Sequence, residues 1–388
     1  MAVKILSVDD ELDLEVLLTQ FFRRQIRKGE YEFTFAHNGL EALQKMLETP
    51  DFDIILSDIN MPEMDGLTLL AKINELKNPA LKCIMVSAYG DMDNIRSAMN
   101  KGAFDFATKP IDLEDLSRSI EKAIEQIRFI RESQEEHSQL ESIKNDLAIA
   151  GEIQRAILPS LFPPFPEFAD RVDIYASMTP AKDVGGDFYD LFQINEHLFG
   201  FVIADVSGKG VPASLFMAVS RTLLRATGIR GISSRECMNY VNKLLCKESL
   251  DSMFVTALYG IYDCRTGEID YTNAGHTPPC LLCHTGRVES ISMETNFVMG
   301  VFDDFLFESG HIVLEKGDAL ILYTDGVTEA FNAAGQQFGV SGLEHTLETL
   351  PGIGAKELIA GIVGQVNSFV GDHPQSDDIT LLVVKRTD

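Results

Sequence analysis

The stretch Ile54-Ile-Leu-Ser-Asp58-Ile-Asn60-Met61-Pro62-Glu-Met-Asp65-Gly66 decides how the first third of this chain folds. It opens on an apolar run too short for a helix. The run stops at a carboxylate, and the next eight residues are punctuated by Pro62 and Gly66, so it reads as a buried strand ending on Asp58. Comparable runs lie at 3–8, 33–36, 83–87 and 104–107, with amphipathic stretches between them at 11–26, 39–48, 68–76 and 91–100. Short buried strands alternating with helices imply a parallel sheet covered on both faces. Five such units in this length predict a small doubly wound α/β domain with a five-stranded sheet.

In an open parallel sheet, sites form beyond the carboxyl ends of the strands. Asp9 and Asp10 follow the first run, Asp58 the third, Ser87 the fourth and Lys109 the fifth, so these five side chains should converge. Carboxylates packed together raise one another's pKa. A bound Mg2+, which takes hard oxygen ligands, would relieve that repulsion. With a lysine and a hydroxyl alongside, the pocket suits transfer of a phosphoryl group onto a carboxylate.

With Asp9-Asp10, Asp58, Met61-Pro62, Asp65-Gly66, Ser87-Ala88 and Lys109-Pro110, residues 1–125 resemble the response-regulator receiver domain. The resemblance implies that Asp58 accepts phosphate from a sensor histidine kinase. It implies a Mg2+ ion on Asp10, Asp58 and the backbone carbonyl of Asn60, with Asp9 assisting through water. Ser87 and Phe106 stand at the family's hydroxyl and aromatic switch positions, and the Lys109-Pro110 bond is expected to be cis.

Residues 112–157 read as one long helix. Ile120, Ile124 and Ile127 recur at helical spacing, and Leu140, Ile143, Leu147, Ala150 and Ile157 do so in a shifted phase, around a polar 131–139. This predicts a dimeric coiled coil whose register slips midway, or a single helix lying on a neighbouring domain. Pro159, Pro163, Pro164 and Pro166 end it.

Beyond 167, strand-like runs at 172–177, 188–193, 198–204, 254–262, 311–314, 319–323 and 379–385 accompany helical patterns at 212–227, 234–247, 342–350 and 355–370. Strands broken by helix pairs predict an α+β, layered sandwich. Four Asp- and Gly-rich motifs abut these runs: Val184-Gly-Gly-Asp187-Phe-Tyr-Asp190, Ala204-Asp205-Val206-Ser-Gly-Lys209-Gly210, Tyr323-Thr-Asp325-Gly-Val327 and Ser376-Asp377-Asp378-Ile-Thr380. One Asp-Gly alone is a turn. Four motifs beside buried runs suggest oxygen ligands for hard cations such as Mg2+ or Mn2+. Two such ions can hold a hydroxide-like water and clamp a phosphoryl group for in-line attack.

These motifs resemble the PPM family of metal-dependent Ser/Thr phosphatases, in particular the bacterial SpoIIE/RsbU group that acts on anti-sigma-factor antagonists. The resemblance spans about 145–388, with the lead-in Glu152-Ile-Gln-Arg-Ala-Ile-Leu-Pro159 and the segment Asn273-Ala-Gly-His276-Thr-Pro-Pro279. It implies an α-β-β-α sandwich and two Mn2+ or Mg2+ ions. Asp187 and Asp205 would bridge them, with the Val206 carbonyl beside, and Asp325 and Asp377 would complete the site. Asp378 is either a ligand or a support behind one. His276 is either a general acid or a structural histidine. Lys182 and Lys209 either orient the substrate phosphate or are surface charges. A diguanylate cyclase is excluded because Phe188 replaces the glutamate that would follow Gly185-Gly186-Asp187.

Composition sets the outer limits. The 388 residues carry 33 Lys plus Arg against 59 Asp plus Glu, a net charge of −26, which opposes nucleic-acid binding and docking on an anionic membrane. No apolar run approaches the roughly 18–20 residues of a membrane span. Six cysteines make no disulfide framework, and Cys280-Leu-Leu-Cys283 reads as a strand end, so a reducing, cytoplasmic setting is expected. The organisation expected is a receiver at 1–122, a helical linker at 123–158 and a phosphatase domain at 159–388. The function expected is that of a response regulator that dephosphorylates a phosphorylated regulatory protein, acting as a homodimer with neither nucleic acid nor membrane as partner. The competing reading is a phosphorylation-gated adaptor without catalysis.

Overall fold

Period-two alternation sorts the strand residues of the first unit onto two opposite faces, and each face has its own helices. The computed structural model describes residues 2–88, 91–248, 253–291 and 296–388. The chain divides into two units, Met1–Ser142 and Ile143–Asp388.

The first unit runs β1 (Val3–Val8), α1 (Leu12–Phe21), α2 (Arg23–Arg27), β2 (Tyr31–Ala36), α3 (Gly39–Glu48), β3 (Ile54–Asp58), α4 (Gly66–Glu75), β4 (Lys82–Ala88), α5 (Met92–Asn100), β5 (Asp105–Lys109) and the start of α6 (Leu113–Ile157). Its strands pair in parallel in the order β2-β1-β3-β4-β5. On one face Leu6, Val8, Ile55 and Met85 pack against Ala42, Met46, Leu69 and Ala98 of α3 to α5. On the other, Ile5, Ile54, Leu56 and Ile84 meet Leu18 of α1, Phe22, and Leu116, Ile120, Ala123 and Ile127 of α6. The order of connection reverses between β1 and β3, which opens a crevice beyond their carboxyl ends.

The stretch 11–26, expected as one helix, is two. The backbone turns at Phe22, whose fully buried ring stacks on Phe33 at 5.6 Å between centroids. Two side-chain caps set the starts of α3 and α4. Asn38 accepts from the Glu41 N–H and Asp65 from the Thr68 N–H. Gly66 is required where it stands, because a Cβ there would run into the Asp58 carbonyl oxygen.

The second unit contains β6 (Val172–Thr179), β7 (Phe188–Gln193), β8 (Leu198–Val206), α7 (Val211–Gly228), α8 (Ser234–Glu248), β9 (Val255–Asp263), β10 (Glu268–Ala274), β11 (Cys280–Leu282), β12 (Val288–Ser290), β13 (Gly310–Val313), β14 (Ala319–Tyr323), α9 (Asp325–Thr328), α10 (Gly339–Glu348), α11 (Ala355–Val370) and β15 (Ile379–Arg386). Two antiparallel sheets form, ordered β13-β10-β9-β8-β7 and β12-β11-β14-β15-β6. Leu320, Leu322, Leu382 and Val384 of the second sheet share one core with Phe199, Phe201 and Tyr259 of the first and with Met217, Leu224 and Val241 of α7 and α8. Their neighbours Ala319, Ile321, Leu381 and Val383 face Leu343, Leu347, Leu358 and Ile362 of α10 and α11. The result is the expected α-β-β-α sandwich. β10, β11 and β12 were not among the strand-like runs of the sequence.

Cys280 is buried on β11, and all six cysteines are free thiols. Among the described residues, no helix is long and apolar enough to cross a membrane.

Candidate functional site

In the first unit, Asp9 follows β1, Asp58 ends β3 and Lys109 ends β5, and the fold brings all three to the crevice. The Lys109 Nζ lies 2.7 Å from Asp58 Oδ2, 3.0 Å from Asp9 Oδ2 and 2.9 Å from Glu11 Oε1. Burial alone would pull the lysine pKa down, but its hydrogen bonds to Asp58, Glu11 and Asp9 outweigh it and hold the ammonium above its ordinary value. Burial raises the Asp9 carboxyl, against hydrogen bonds from the Glu11 N–H and Lys109.

The carboxylates of Asp9, Asp10 and Asp58 can each bring an oxygen within 4.8 Å of the others, a hard donor set that fits a divalent cation. Asn60 donates its N–H to Asp58 Oδ1 at 3.3 Å. Ser87 is fully buried, and its hydroxyl has no hydrogen-bond partner among the described residues. It therefore has a free donor and acceptor beside the Asp58 strand. Phe106 is exposed, and the Lys109-Pro110 bond is cis. Glu11 was not foreseen in the sequence.

The second unit gathers carboxylates from both sheets. Asp187 precedes β7 and Asp205 lies near the end of β8, and the antiparallel pairing of Phe188 with Ala204 sets the two side by side. From the other sheet, Asp325 starts α9 directly after β14, and Asp377 and Asp378 precede β15. Thr324 ties the sheets together. Its hydroxyl donates to Asp187 Oδ2 at 2.6 Å and accepts from the Thr380 N–H at 3.1 Å.

Burial, and then repulsion from Asp205, drives the Asp187 carboxyl well above its usual range. Burial and the charge of Asp325 raise Asp205 to about 7. Burial and Asp377 raise Asp325. A cluster of carboxylates held this high lacks positive charge, and divalent cations are the natural complement. The Val206 carbonyl oxygen comes close to the backbone of the Asp187 loop, since a Cβ on Gly186 would stand 2.9 Å from it.

Asp377 and Asp378 do different work. Asp377 Oδ2 pairs with Lys209 Nζ at 2.7 Å on the surface. The Asp378 carboxylate is buried and occupied by backbone: Oδ1 accepts from Ala181 N–H at 2.8 Å, Oδ2 from Gly186 N–H at 2.8 Å. Lys182, Lys209, Gly208 and Asp205 line a small cleft over these groups.

His276 is buried and neutral. Desolvation lowers its pKa to about 4, its Nδ1 lies 3.0 Å from the Thr256 hydroxyl, and its backbone N–H donates to Asn273. That is the profile of a structural histidine in a turn. Two contributors went unrecognised in the sequence. One is Thr324. The other is Gln154, whose side-chain amide pairs with both backbone groups of Gly185.

Comparisons with known proteins cover both units. The family model for the response regulator receiver domain matches residues 5–121. The chemotaxis protein CheY of Listeria monocytogenes is 38% identical over 122 residues, which cover 31% of this chain and 98% of CheY. The model for stage II sporulation protein E matches residues 195–387. The chain belongs to the response regulators and carries a SpoIIE-type phosphatase domain.

The phosphoserine phosphatase RsbU of Bacillus subtilis is 28% identical over 277 residues, covering 70% of this chain and 81% of RsbU. Two further relatives are spanned over less than half of their length. The PP2C domain of SiaA from Pseudomonas aeruginosa, with a TM-score of 0.56 at 23% identity over 64% of this chain and 99% of that one, shares the fold of the response regulator's second unit. That unit is a metal-dependent serine/threonine phosphatase domain.

Proposed function

We propose that this response regulator removes phosphate from phosphoserine or phosphothreonine on a regulatory protein, and that phosphorylation of Asp58 controls the rate. The observation that carries the reading is the convergence of Asp187, Asp205, Asp325 and Asp377 from two sheets, with the first three raised in pKa by burial and mutual repulsion. A site that is costly to fold and exposed to a cleft is built for a ligand. This favours the enzyme over a non-catalytic adaptor.

Asp187, Asp205, the Val206 carbonyl, Asp325 and Asp377 would hold two Mn2+ or Mg2+ ions. When bound, the ions supply an activated water and neutralise phosphoryl charge. The chain's own groups do the rest. Asp378 holds the 181–187 loop by its amides, Thr324 orients Asp187, and Lys182 and Lys209, which line the cleft, would meet the substrate phosphate.

At the receiver, Asp9, Asp10, Asp58 and the Asn60 carbonyl would hold Mg2+. An Asp58 oxygen attacks the phosphoryl group of a kinase phosphohistidine, so a P–O bond forms as the P–N bond breaks. Lys109, already on Asp58, and the free Ser87 hydroxyl are placed to take phosphoryl oxygens. Phe106 follows that change as the switch residue.

RsbU is named as a phosphoserine phosphatase, and the substrate class we favour is an anti-sigma antagonist-like protein. The reading places the protein in the cytoplasm as a homodimer joined along α6, whose Leu140, Ile143, Ile149 and Ile153 are exposed. Beryllofluoride should alter the rate of Mn2+-dependent hydrolysis of a phosphoserine protein, and Asp58→Asn should abolish that response. Equal rates with and without beryllofluoride would refute control by the receiver.

A further inference from the structure

The loop that carries Asp187 has irregular backbone from residue 180 to 187, outside either sheet. Two side chains from elsewhere hold it. Asp378 takes the N–H groups of Ala181 and Gly186 from one side. From the other, Gln154 in the last turns of α6 takes both polar groups of Gly185. Its Nε2 donates to the Gly185 carbonyl at 2.6 Å, and its Oε1 accepts from the Gly185 N–H at 3.0 Å.

Gln154 is only 6% exposed although its helix neighbours Ile149 and Ile153 are solvent-facing, so this amide is committed to the loop. The approach is close along its length. A Cβ on Gly151, one turn earlier, would strike the Asp183 carbonyl oxygen, and a Cβ on Gly185 would strike the Asp378 carboxylate. Loop 183–186 is thus clamped between a helix and a carboxylate, with Asp187 directly after it.

We propose that Gln154 is a positioning residue that sets the metal affinity of Asp187. A side-chain amide that reproduces strand-like pairing holds one backbone conformation. Rotation or withdrawal of the last turns of α6 removes both bonds at once and frees Gly186 and Asp187 to move. The register of the helix is thereby read out at the candidate metal centre. This rests on the proposed metal site and specifies its regulation.

The test is Mn2+ titration calorimetry on the full chain, every protein carrying Asp10→Ala to remove the receiver's cation site, for the otherwise wild-type chain, Gln154→Ala, Gln154→Asn, Gly151→Ala and Asp187→Ala, with far-UV circular dichroism to confirm folding. We expect Gln154→Ala and the shorter amide of Gln154→Asn to weaken Mn2+ binding about tenfold, the loss of roughly one net hydrogen bond. The Mn2+ concentration needed for half-maximal hydrolysis should rise in step, with KM for the phosphoprotein unchanged. Gly151→Ala should weaken Mn2+ binding too, by pushing the loop without touching Gln154, and it carries the test if Gln154→Ala does not fold.

Mn2+ affinity within twofold of wild type in folded Gln154→Ala and Gly151→Ala, with Asp187→Ala losing the metal, overturns this proposal alone. Wild-type affinity in Asp187→Ala overturns the metal reading and this proposal with it.

Discussion

Asp205 shows what a functional residue costs the fold. Its pKa lies at about 7 in the folded chain against 3.8 for an ordinary aspartate. The folded state therefore holds its proton more tightly than the unfolded state. The resulting stability is fully present below the unfolded value and is lost as pH rises through about 7. In a chelator, melting of the phosphatase domain should fall to lower temperature between pH 4 and 7. Asp205→Asn should flatten that slope and raise the melting temperature at pH 8 by about 4–8 °C, or roughly 2 kcal/mol, measured by calorimetry, while Mn2+-dependent activity disappears. An unchanged melting profile would contradict the picture of repelling carboxylates. Thr324→Val tests the tie between the sheets. It takes a buried partner from Asp187, so it should cost about 1–3 kcal/mol by denaturant unfolding and lower kcat. The aspartates were legible one by one because each abuts an apolar run. Thr324 and Gln154 stand inside the sequence motifs themselves, but their roles depend on partners 137 and 31 residues away, which local spacing does not encode.

Among elements, α6 joins two chemistries. Its early residues Leu116, Ile120, Ala123 and Ile127 belong to the receiver core, and Arg131 bonds the buried Asp53 at 2.5 Å. Residues 131–146 are exposed throughout, and Gln154 is buried again in the second unit. The shift of helical phase in the sequence falls in this exposed part. Leu140→Lys combined with Ile143→Lys should convert a dimer to a monomer in sedimentation velocity, and should leave the melting of each unit within about 0.5 kcal/mol; a wild-type monomer would refute the seam. The parallel sheet was legible from its alternation of short apolar runs with amphipathic stretches, and the long helix from helical spacing that persists on both sides of the phase shift. The break at Phe22 was not, since a ring pinned between Tyr31 and Phe33 overrides the helical pattern. β10 alternates polar and apolar residues as Glu-Ile-Asp-Tyr-Thr, so it carries a strand period but no continuous apolar run like those that marked the other strands, and β11 and β12 have three residues each, too short to show a period.

At the scale of the whole molecule, the two strand-end carboxylate clusters of this acidic chain differ in their local compensation. The first site has its own cation in Lys109. The second has Lys209 on Asp377, while Asp187 and Asp205 are left to repel each other. Hydrolysis at the second site should therefore require divalent metal. The most direct measurement is release of phosphate from a phosphoserine protein by the full chain across a Mn2+ titration, for wild type and Asp205→Ala. Saturable, Mn2+-dependent turnover is expected in the wild type, with a loss of about a hundredfold or more in the variant. Undiminished turnover in Asp205→Ala, or turnover by wild type in excess chelator, would contradict that requirement.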